Sequence, residues 1–334
     1  MASDGCYRLF GAELSPYSVK VRSYLRYKGI PHEWVLRGPA NNDEFERHAR
    51  LPLIPLLITP DDEGWQDSTP IIEKLEARYP RPPIHPQEPV LAFVSALIEE
   101  YADEWGNKAM FHYRWTYEAD QRSAAKRIAT LTAPDADEEA TEQVAAMIVA
   151  RMVQRLDFVG SNEHTREQIE GSYLRQLSIL QTHLERRPFL LGTRPAFADF
   201  GLYAQLYQTL SDPTPGEIMK SEAPRVVEWI ERMLDPEGEG GFEDWGDLEP
   251  TLAPLLTEEI AGLFLPWSEA NARALEAGEK EFSVELEGKR FVQQTQKYHA
   301  RSLAVLKKRY ADHGDRGALD GVLEATGCLR YLNE

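Results

Sequence analysis

The sequence predicts an α/β domain built on one mixed sheet, followed by a larger all-helical part. Three observations carry this prediction. Strand and helix signals alternate over residues 6–79, prolines crowd residues 80–89, and the apolar pattern beyond them repeats with helical spacing. A chain of 334 residues is long enough for two or three units with cores of their own.

The first part has the order strand, helix, strand, helix, strand, strand, helix. Its clearest element is a helix over residues 16–28, because proline suits the first turn, apolar residues follow at helical spacing and Gly29 ends it. The other elements are predicted at residues 6–11, 31–36, 41–50, 54–59, 65–66 and 68–79. A βαβ unit followed by a ββα unit predicts one mixed sheet covered by helices.

The prolines of residues 80–89 predict a stiff linker, which is the clearest boundary in the chain. Beyond it, Val94, Ile98, Tyr101 and Trp105 form one apolar stripe of a long helix. Further helices are predicted near residues 137–158, 164–185, 198–210, 224–234, 252–277, 292–311 and 316–326, with a hairpin at 281–291. The expected domains are residues 1–82, residues 88–238 and an extension over residues 239–334 that packs on the helical domain.

The excess of acidic over basic residues restricts the kinds of binding partner that the protein is expected to have. The chain carries 37 basic and 55 acidic residues, a net charge of −18, which argues against nucleic acid and anionic membranes as partners. Two cysteines provide no disulfide framework, and no residue spacing suits a metal. The segment at residues 1–5 lacks signal-peptide features, and no apolar run is long enough to span a bilayer. A cytoplasmic protein without a metal is expected.

Five short motifs follow one another along residues 15–200 in an order that indicates a family. They are Ser15-Pro16-Tyr17-Ser18 with Lys20-Val21-Arg22, then Lys28-Gly29-Ile30-Pro31, Ile54-Pro55-Leu56-Leu57, Asp67-Ser68, and Pro188-Phe189-Leu190-Leu191-Gly192 with Ala198-Asp199-Phe200. In this order they resemble the glutathione transferase superfamily over roughly residues 5–235. The resemblance implies a thioredoxin-like glutathione-binding domain, an all-helical acceptor-site domain, glutathione as co-substrate and a homodimer. The extension matches no standard element of the family.

Ser15 is the candidate catalytic residue. A thiol with a pKa near 8.5 is only a few per cent ionised at neutral pH, so it needs a hydroxyl donor and a helix N-terminus to hold it as the anion. The resemblance implies that Ser15 stabilises the glutathione thiolate, with Tyr17 as the nearby alternative. Ser15 is also a good helix N-cap, which is the structural alternative. Because the turn has no cysteine, it cannot exchange disulfides through a protein thiol.

The remaining cofactor-binding candidates come from the resemblance. Ile54-Pro55 is expected to be a cis bond that exposes backbone to the cysteinyl amide of glutathione. Asp67 would meet the γ-glutamyl amino group, and Ser68 with its helix N-terminus would bind the adjoining carboxylate. Leu53 replaces the Lys that many relatives use for the glycine carboxylate, and Arg37, Arg47 or Arg50 are the possible substitutes.

An acceptor pocket is expected between the domains. Its candidate residues are Trp105, Phe111, His112, Tyr113, Arg114 and Trp115. They suit a small apolar electrophile, with Arg114 for an anionic group; the alternative is core packing or a dimer surface. The expected activity is thiol transfer to an electrophile. The rivals are a non-catalytic interaction module of the same fold and a glutathione-dependent reductase or dehalogenase.

Overall fold

The amino-terminal part carries a four-stranded mixed sheet in the order β2-β1-β3-β4. A computed structural model describes residues 6–314 and 316–333; the expectation about signal-peptide features at residues 1–5 lies outside them. The elements of this part are β1 Tyr7–Gly11, α1 Pro16–Tyr27, β2 His32–Leu36, α2 Asn42–His48, β3 Leu56–Ile58, β4 Gly64–Gln66 and α3 Ser68–Arg78. Strand β1 pairs parallel with β2 and antiparallel with β3, which confirms the predicted thioredoxin-like sheet.

The helical part begins after the proline-rich connection with one long, interrupted helix. Helix α4 continues through a π-helical segment, Ala102–Gly106, into α5. Such π segments often occur at functional sites. The helices are α4 Pro89–Tyr101, α5 Asn107–Thr116, α6 Glu118–Thr132, α7 Glu138–Val153, α8 Arg166–Leu184, α9 Phe197–Leu210, α10 Pro213–Glu222 and α11 Pro224–Leu234.

Two of these helices were not predicted. In α6 the buried apolar residues are alanines, so no stripe of large apolar residues marks it. Helix α10 starts with Pro213 and Pro215, which look like helix breakers in sequence. Both prolines lie in the first turn, where a missing N–H leaves no hydrogen bond unmade.

The extension folds as helix, hairpin and two helices. Its elements are α12 Trp245–Pro254, a π-helical segment Leu255–Phe264, α13 Leu265–Glu276, β5 Glu281–Leu286, β6 Lys289–Gln294, α14 Lys297–Ala311 and α15 Gly317–Ala325. The first helix begins at Trp245 rather than near residue 252, and it contains Pro250 and Pro254. The predicted helix from residue 292 starts at Lys297, because β6 runs on to Gln294. Helices α14 and α15 both contact α4.

Candidate functional site

Ser15 lies immediately before the first turn of α1, with extended backbone angles of φ −106° and ψ 112°. Its Oγ accepts hydrogen bonds from the backbone N–H of Ser18 at 3.3 Å and from the Ser18 hydroxyl at 3.0 Å. Ser15 is therefore the N-cap of the helix. Because Ser18 donates its hydroxyl proton to Ser15, the proton of Ser15 is left for an acceptor in front of the helix, where the helix dipole favours an anion.

Tyr17 uses its hydroxyl to join α1 to the helical part. The phenol donates to the carbonyl of Asp103 at 3.0 Å and accepts from the Asn107 amide at 3.2 Å. Burial and the Asp103 carboxylate raise the pKa of Tyr17 above its usual value. Because this phenol already donates its single proton to a carbonyl, it has none left for a thiolate, so the geometry favours Ser15 over Tyr17.

The peptide bond between Ile54 and Pro55 is cis. The loop before it is held by Gln66 on β4, whose side-chain amide donates to the carbonyls of Leu51 at 2.8 Å and Leu53 at 2.9 Å. Within the described part of the chain, no hydrogen bond uses the backbone of Ile54. Its amide and carbonyl are therefore available to pair with a peptide group of a ligand.

Asp67 precedes α3 with a positive φ of 76°. Such a conformation costs a non-glycine residue roughly 1 kcal/mol or more and is often retained at functional sites. The carboxylate does not cap its own helix; both oxygens accept from the hydroxyl of Tyr298, at 3.4 and 3.3 Å. Burial raises the pKa of Asp67, against the opposing effect of Lys20. This carboxylate is well placed for a cationic group of a ligand.

Ser68 is the first residue of α3 and is buried. Its hydroxyl lies 3.5 Å from the Asp103 carboxylate, a long contact that constrains it little. The N-terminus of α3 presents backbone N–H groups beside it, which suits a carboxylate. Asp67 and Ser68 thus offer adjacent positions for an ammonium and a carboxylate group.

A buried cluster of charged groups lies next to Ser68 and was not predicted from the sequence. The Lys20 ammonium contacts Glu99 and Asp103, the latter at 2.6 Å, and donates to the Thr69 hydroxyl at 3.0 Å. Burial raises the pKa of Asp103 to about 7, against the opposing effect of Lys20. Lys20 lies in a motif of the first helix, but nothing in the local sequence indicates partners some eighty residues away.

The position of Leu53 is exposed, with 62% of its surface open to solvent. Of the three candidate replacements for a lysine here, Arg37 donates to the carbonyl of Pro52 at 2.9 Å and stacks on the ring of Phe45 at 3.9 Å. Arg37 is thus held in place beside the loop. The side chains of Arg47 and Arg50 are exposed.

The structure buries five of the six proposed acceptor residues, and Phe111 is half-buried. The five are each at most 3% exposed, and they are Trp105, His112, Tyr113, Arg114 and Trp115. Arg114 pairs with Asp212 at 2.6 Å, and the Trp105 indole donates to Ser172 at 3.0 Å. His112 contacts the Ser161 hydroxyl at 2.7 Å. These contacts are those of core packing, which is the alternative given above. Aromatic clusters at helical spacing form cores and pockets alike, so the sequence could not separate the two.

Two properties concern the described residues as a whole. Over residues 6–314 and 316–333, no group of three or more His, Cys, Asp or Glu side chains is arranged to hold a metal ion. In the same ranges no helix combines the length and apolar character needed to cross a membrane.

Comparison with known proteins gives matches in both parts of the chain. The family model "Glutathione S-transferase, N-terminal domain" matches residues 9–83, and "Glutathione S-transferase, C-terminal domain" matches residues 163–232. The isoprene-epoxide glutathione S-transferase of Rhodococcus sp. (strain AD45) is 25% identical over 231 residues, covering 66% of this chain and 92% of that protein. The uncharacterized GST-like protein YibF of Escherichia coli (strain K12) is 32% identical over 97 residues, covering 29% of this chain and 48% of that protein. A glutathione S-transferase of Methylobacterium radiotolerans, solved in complex with glutathione sulfonate, is 23% identical with a TM-score of 0.45, covering 71% of this chain and 96% of that one.

Proposed function

The chain belongs to the glutathione transferase superfamily, and we propose that it binds glutathione in its thioredoxin-like domain and activates the thiol for attack on a small electrophile. The observation that carries this proposal is the Ser15 hydroxyl, which stands at the N-terminus of α1 with its own proton uncommitted. Ser15 donates to the sulfur, and the helix dipole favours the sulfur's negative charge. Lowering the thiol pKa by two units corresponds to about 2.7 kcal/mol.

The cysteinyl and γ-glutamyl parts of glutathione each have a proposed partner in the chain. The cysteinyl amide pairs with the backbone of Ile54 at the cis bond. Asp67 takes the γ-glutamyl ammonium group, while Ser68 and the first turn of α3 take the adjoining carboxylate. The glycine carboxylate faces the loop in which Leu53 replaces a lysine, so its binding depends on nearby arginines.

The chemical step is a nucleophilic attack by the glutathione sulfur on an electrophilic carbon of the acceptor. The thiolate forms a carbon–sulfur bond with the electrophile, and the leaving group departs with the electron pair of the bond that breaks. With an epoxide, the ring carbon–oxygen bond opens and the oxygen takes a proton from water. The name of the Rhodococcus relative is the reason to include epoxides among the candidate acceptors. A homodimer and a cytoplasmic location stay predictions.

The first experiment measures glutathione binding by calorimetry and turnover with aryl halides, epoxides and peroxides. We expect binding at up to millimolar glutathione and turnover with at least one class. The peroxide arm and the halide arm distinguish reductase and dehalogenase activities that would use the same thiol site. Absence of binding at millimolar glutathione contradicts the proposal.

A second candidate function is a non-catalytic interaction module, and one observation favours it. The hydroxyl of Tyr298, from the extension, lies 3.4 and 3.3 Å from the two oxygens of Asp67, at the position proposed for the γ-glutamyl group. Soaking crystals with glutathione separates the two functions. Density for glutathione against Ile54, Asp67 and Ser68 supports the enzyme, whereas an unchanged cleft with Tyr298 on Asp67 supports the module.

A further inference from the structure

The first turn of α14 brings the carboxy-terminal extension to the proposed glutathione site. Tyr298 is the second residue of this helix, and its hydroxyl lies 3.3 and 3.4 Å from the two oxygens of Asp67, 231 residues earlier in the chain. Its side chain is 52% exposed, so it is not a buried core residue. An exposed phenol within hydrogen-bonding reach of a carboxylate, on a residue whose backbone has a positive φ, is placed to meet a ligand.

Tyr298 is held in place by contacts on both sides. Just before α14, the side chain of Asn271 accepts from the N–H of Gln296 at 2.7 Å and donates to its carbonyl at 2.9 Å. Just after Tyr298, the ring of His299 contacts Glu104 and packs edge-on against Trp267, with ring centroids 4.8 Å apart. Because Trp267 and Asn271 are fully buried, the first turn of α14 packs firmly against α13.

The chemistry of an ammonium group explains what a hydroxyl adds here. An ammonium has three N–H donors, and the carboxylate of Asp67 is one acceptor group that cannot surround it. A tyrosine hydroxyl that donates its proton to the carboxylate still has lone pairs with which to accept from the ammonium. Burial of its hydroxyl end, on a side chain that is otherwise exposed, and the carboxylate of Glu104 raise the pKa of Tyr298, so its hydroxyl keeps its proton.

We propose that Tyr298 is a substrate-binding residue, whose hydroxyl positions the Asp67 carboxylate and accepts a hydrogen bond from the γ-glutamyl ammonium of glutathione. The extension thereby completes the glutathione site and selects thiols that carry this amino group. The inference rests on the proposed function, since it assigns glutathione to Asp67.

The test compares two ligands and two variants of the full chain. The ligands are glutathione and its analogue with a glutaryl group in place of γ-glutamyl, which lacks only the amino group. The variants are Tyr298→Phe and Tyr310→Phe. Tyr310 is the matched control, because it lies in the same helix and donates to a carboxylate, that of Asp320, at 2.7 Å, away from the site.

Calorimetry should show that Tyr298→Phe raises the Kd for glutathione about tenfold and leaves the Kd for the glutaryl analogue unchanged. Tyr310→Phe should leave both Kd values unchanged, and the thermal unfolding midpoint of Tyr298→Phe should equal that of the wild type. An unchanged Kd for glutathione in Tyr298→Phe overturns the inference while the proposed function stands. Tighter binding also overturns it, because the phenol would then compete with the ligand. If no chain binds glutathione, the proposed function fails and the inference with it.

Discussion

Ser15 and Ser18 place two hydroxyls in one turn. Only the Ser15 hydroxyl is free to donate its proton to a ligand. The Ser18 hydroxyl donates to Ser15 at 3.0 Å, so Ser15 can act on a ligand without losing its role as N-cap. Tyr17, two residues along, has committed its proton to the carbonyl of Asp103. The two candidate catalytic residues are therefore separable by mutation.

Ser15→Ala should lower turnover with glutathione roughly ten- to a thousandfold, as expected for the loss of one donor to a developing anion. Tyr17→Phe is the control, and it should change turnover by less than about threefold because its hydroxyl serves the domain contact. Steady-state kinetics with both variants checks this. If Tyr17→Phe lost more activity than Ser15→Ala, the roles assigned to the two residues would be reversed.

Among single residues, sequence could predict features of the local backbone, while their roles toward a ligand stay predictions. Ser15, the cis bond at Ile54-Pro55 and the Asp67-Ser68 pair are each defined by a turn or a helix start, which leaves a short motif. The contact of Tyr298 with Asp67 joins distant parts of the chain, so no motif marks it. Sequence could not decide the place of the aromatic group around Trp105, since its composition suits a core as well as a pocket.

Asp199 determines how helix α9 begins. Its carboxylate accepts from the N–H groups of Ala196 at 2.8 Å and Leu190 at 2.9 Å and from the Trp229 indole at 2.9 Å. Ala196 has no side-chain oxygen to cap the helix, so Asp199 alone ties the helix start to the preceding loop and to α11. The motif predicted this aspartate from sequence, whereas the indole partner came only with the structure.

Asp199→Asn should lower the free energy of unfolding by about 2–3 kcal/mol, because an amide nitrogen would face a backbone N–H in a buried site. Asp137 is the control: it caps the N-terminus of α7 through the N–H of Ala140 but is exposed. Asp137→Asn should cost less than about 1 kcal/mol. Urea denaturation at pH 8 measures both. Equal losses in the two variants would mean that burial adds nothing at Asp199.

His183 makes the packing of α8 on α12 dependent on pH. Its ring lies 2.8 Å from the carbonyl of Leu190 and 2.8 Å from the hydroxyl of Thr251, and burial lowers the pKa of His183 to about 4. A depressed histidine pKa means that the folded state prefers the neutral ring. The resulting stability is present above the unfolded pKa and is lost as the pH falls from about 6.5 towards 4.

Lowering the pH from 7 to 5 should reduce the free energy of unfolding by about 2 kcal/mol through the protonation of His183 in the unfolded state. Urea titrations of the wild type and of His183→Gln at the two pH values isolate the effect, because other titrating groups are common to both proteins. The wild type should lose about 2 kcal/mol more than the variant. Parallel losses would show that His183 does not titrate between the folded and unfolded states.

One large apolar core joins the sheet, the helical part and the extension within the residues that the structure describes. Its buried side chains extend from Tyr7 in the sheet to Leu332 near the end of the extension, and two smaller clusters, around Phe10 and around Trp115, lie beside it. The net charge of −18 opposes this packing through self-repulsion, so the burial of apolar surface has to outweigh it. The composition and helical spacing of the extension predicted its helices, but how it packs depended on contacts that no family motif describes.

This common core predicts that the extension unfolds together with the rest. Cys328 is fully buried, and burial raises the pKa of its thiol to about 11. In a Cys6→Ser background, a thiol reagent should label Cys328 only over the same range of denaturant in which circular dichroism is lost. Labelling at lower denaturant would show that the extension opens independently.

The most direct test of the central claim is the ionisation of the glutathione thiol on the protein. Thiolate absorbance in the ultraviolet, followed against pH in saturated wild type and Ser15→Ala, gives the pKa of the bound thiol. We expect a pKa at least about one pH unit below the 8.5 of a free thiol in the wild type, and a return towards 8.5 in the variant. A bound thiol that titrates near 8.5 in the wild type, or identically in both proteins, would contradict it.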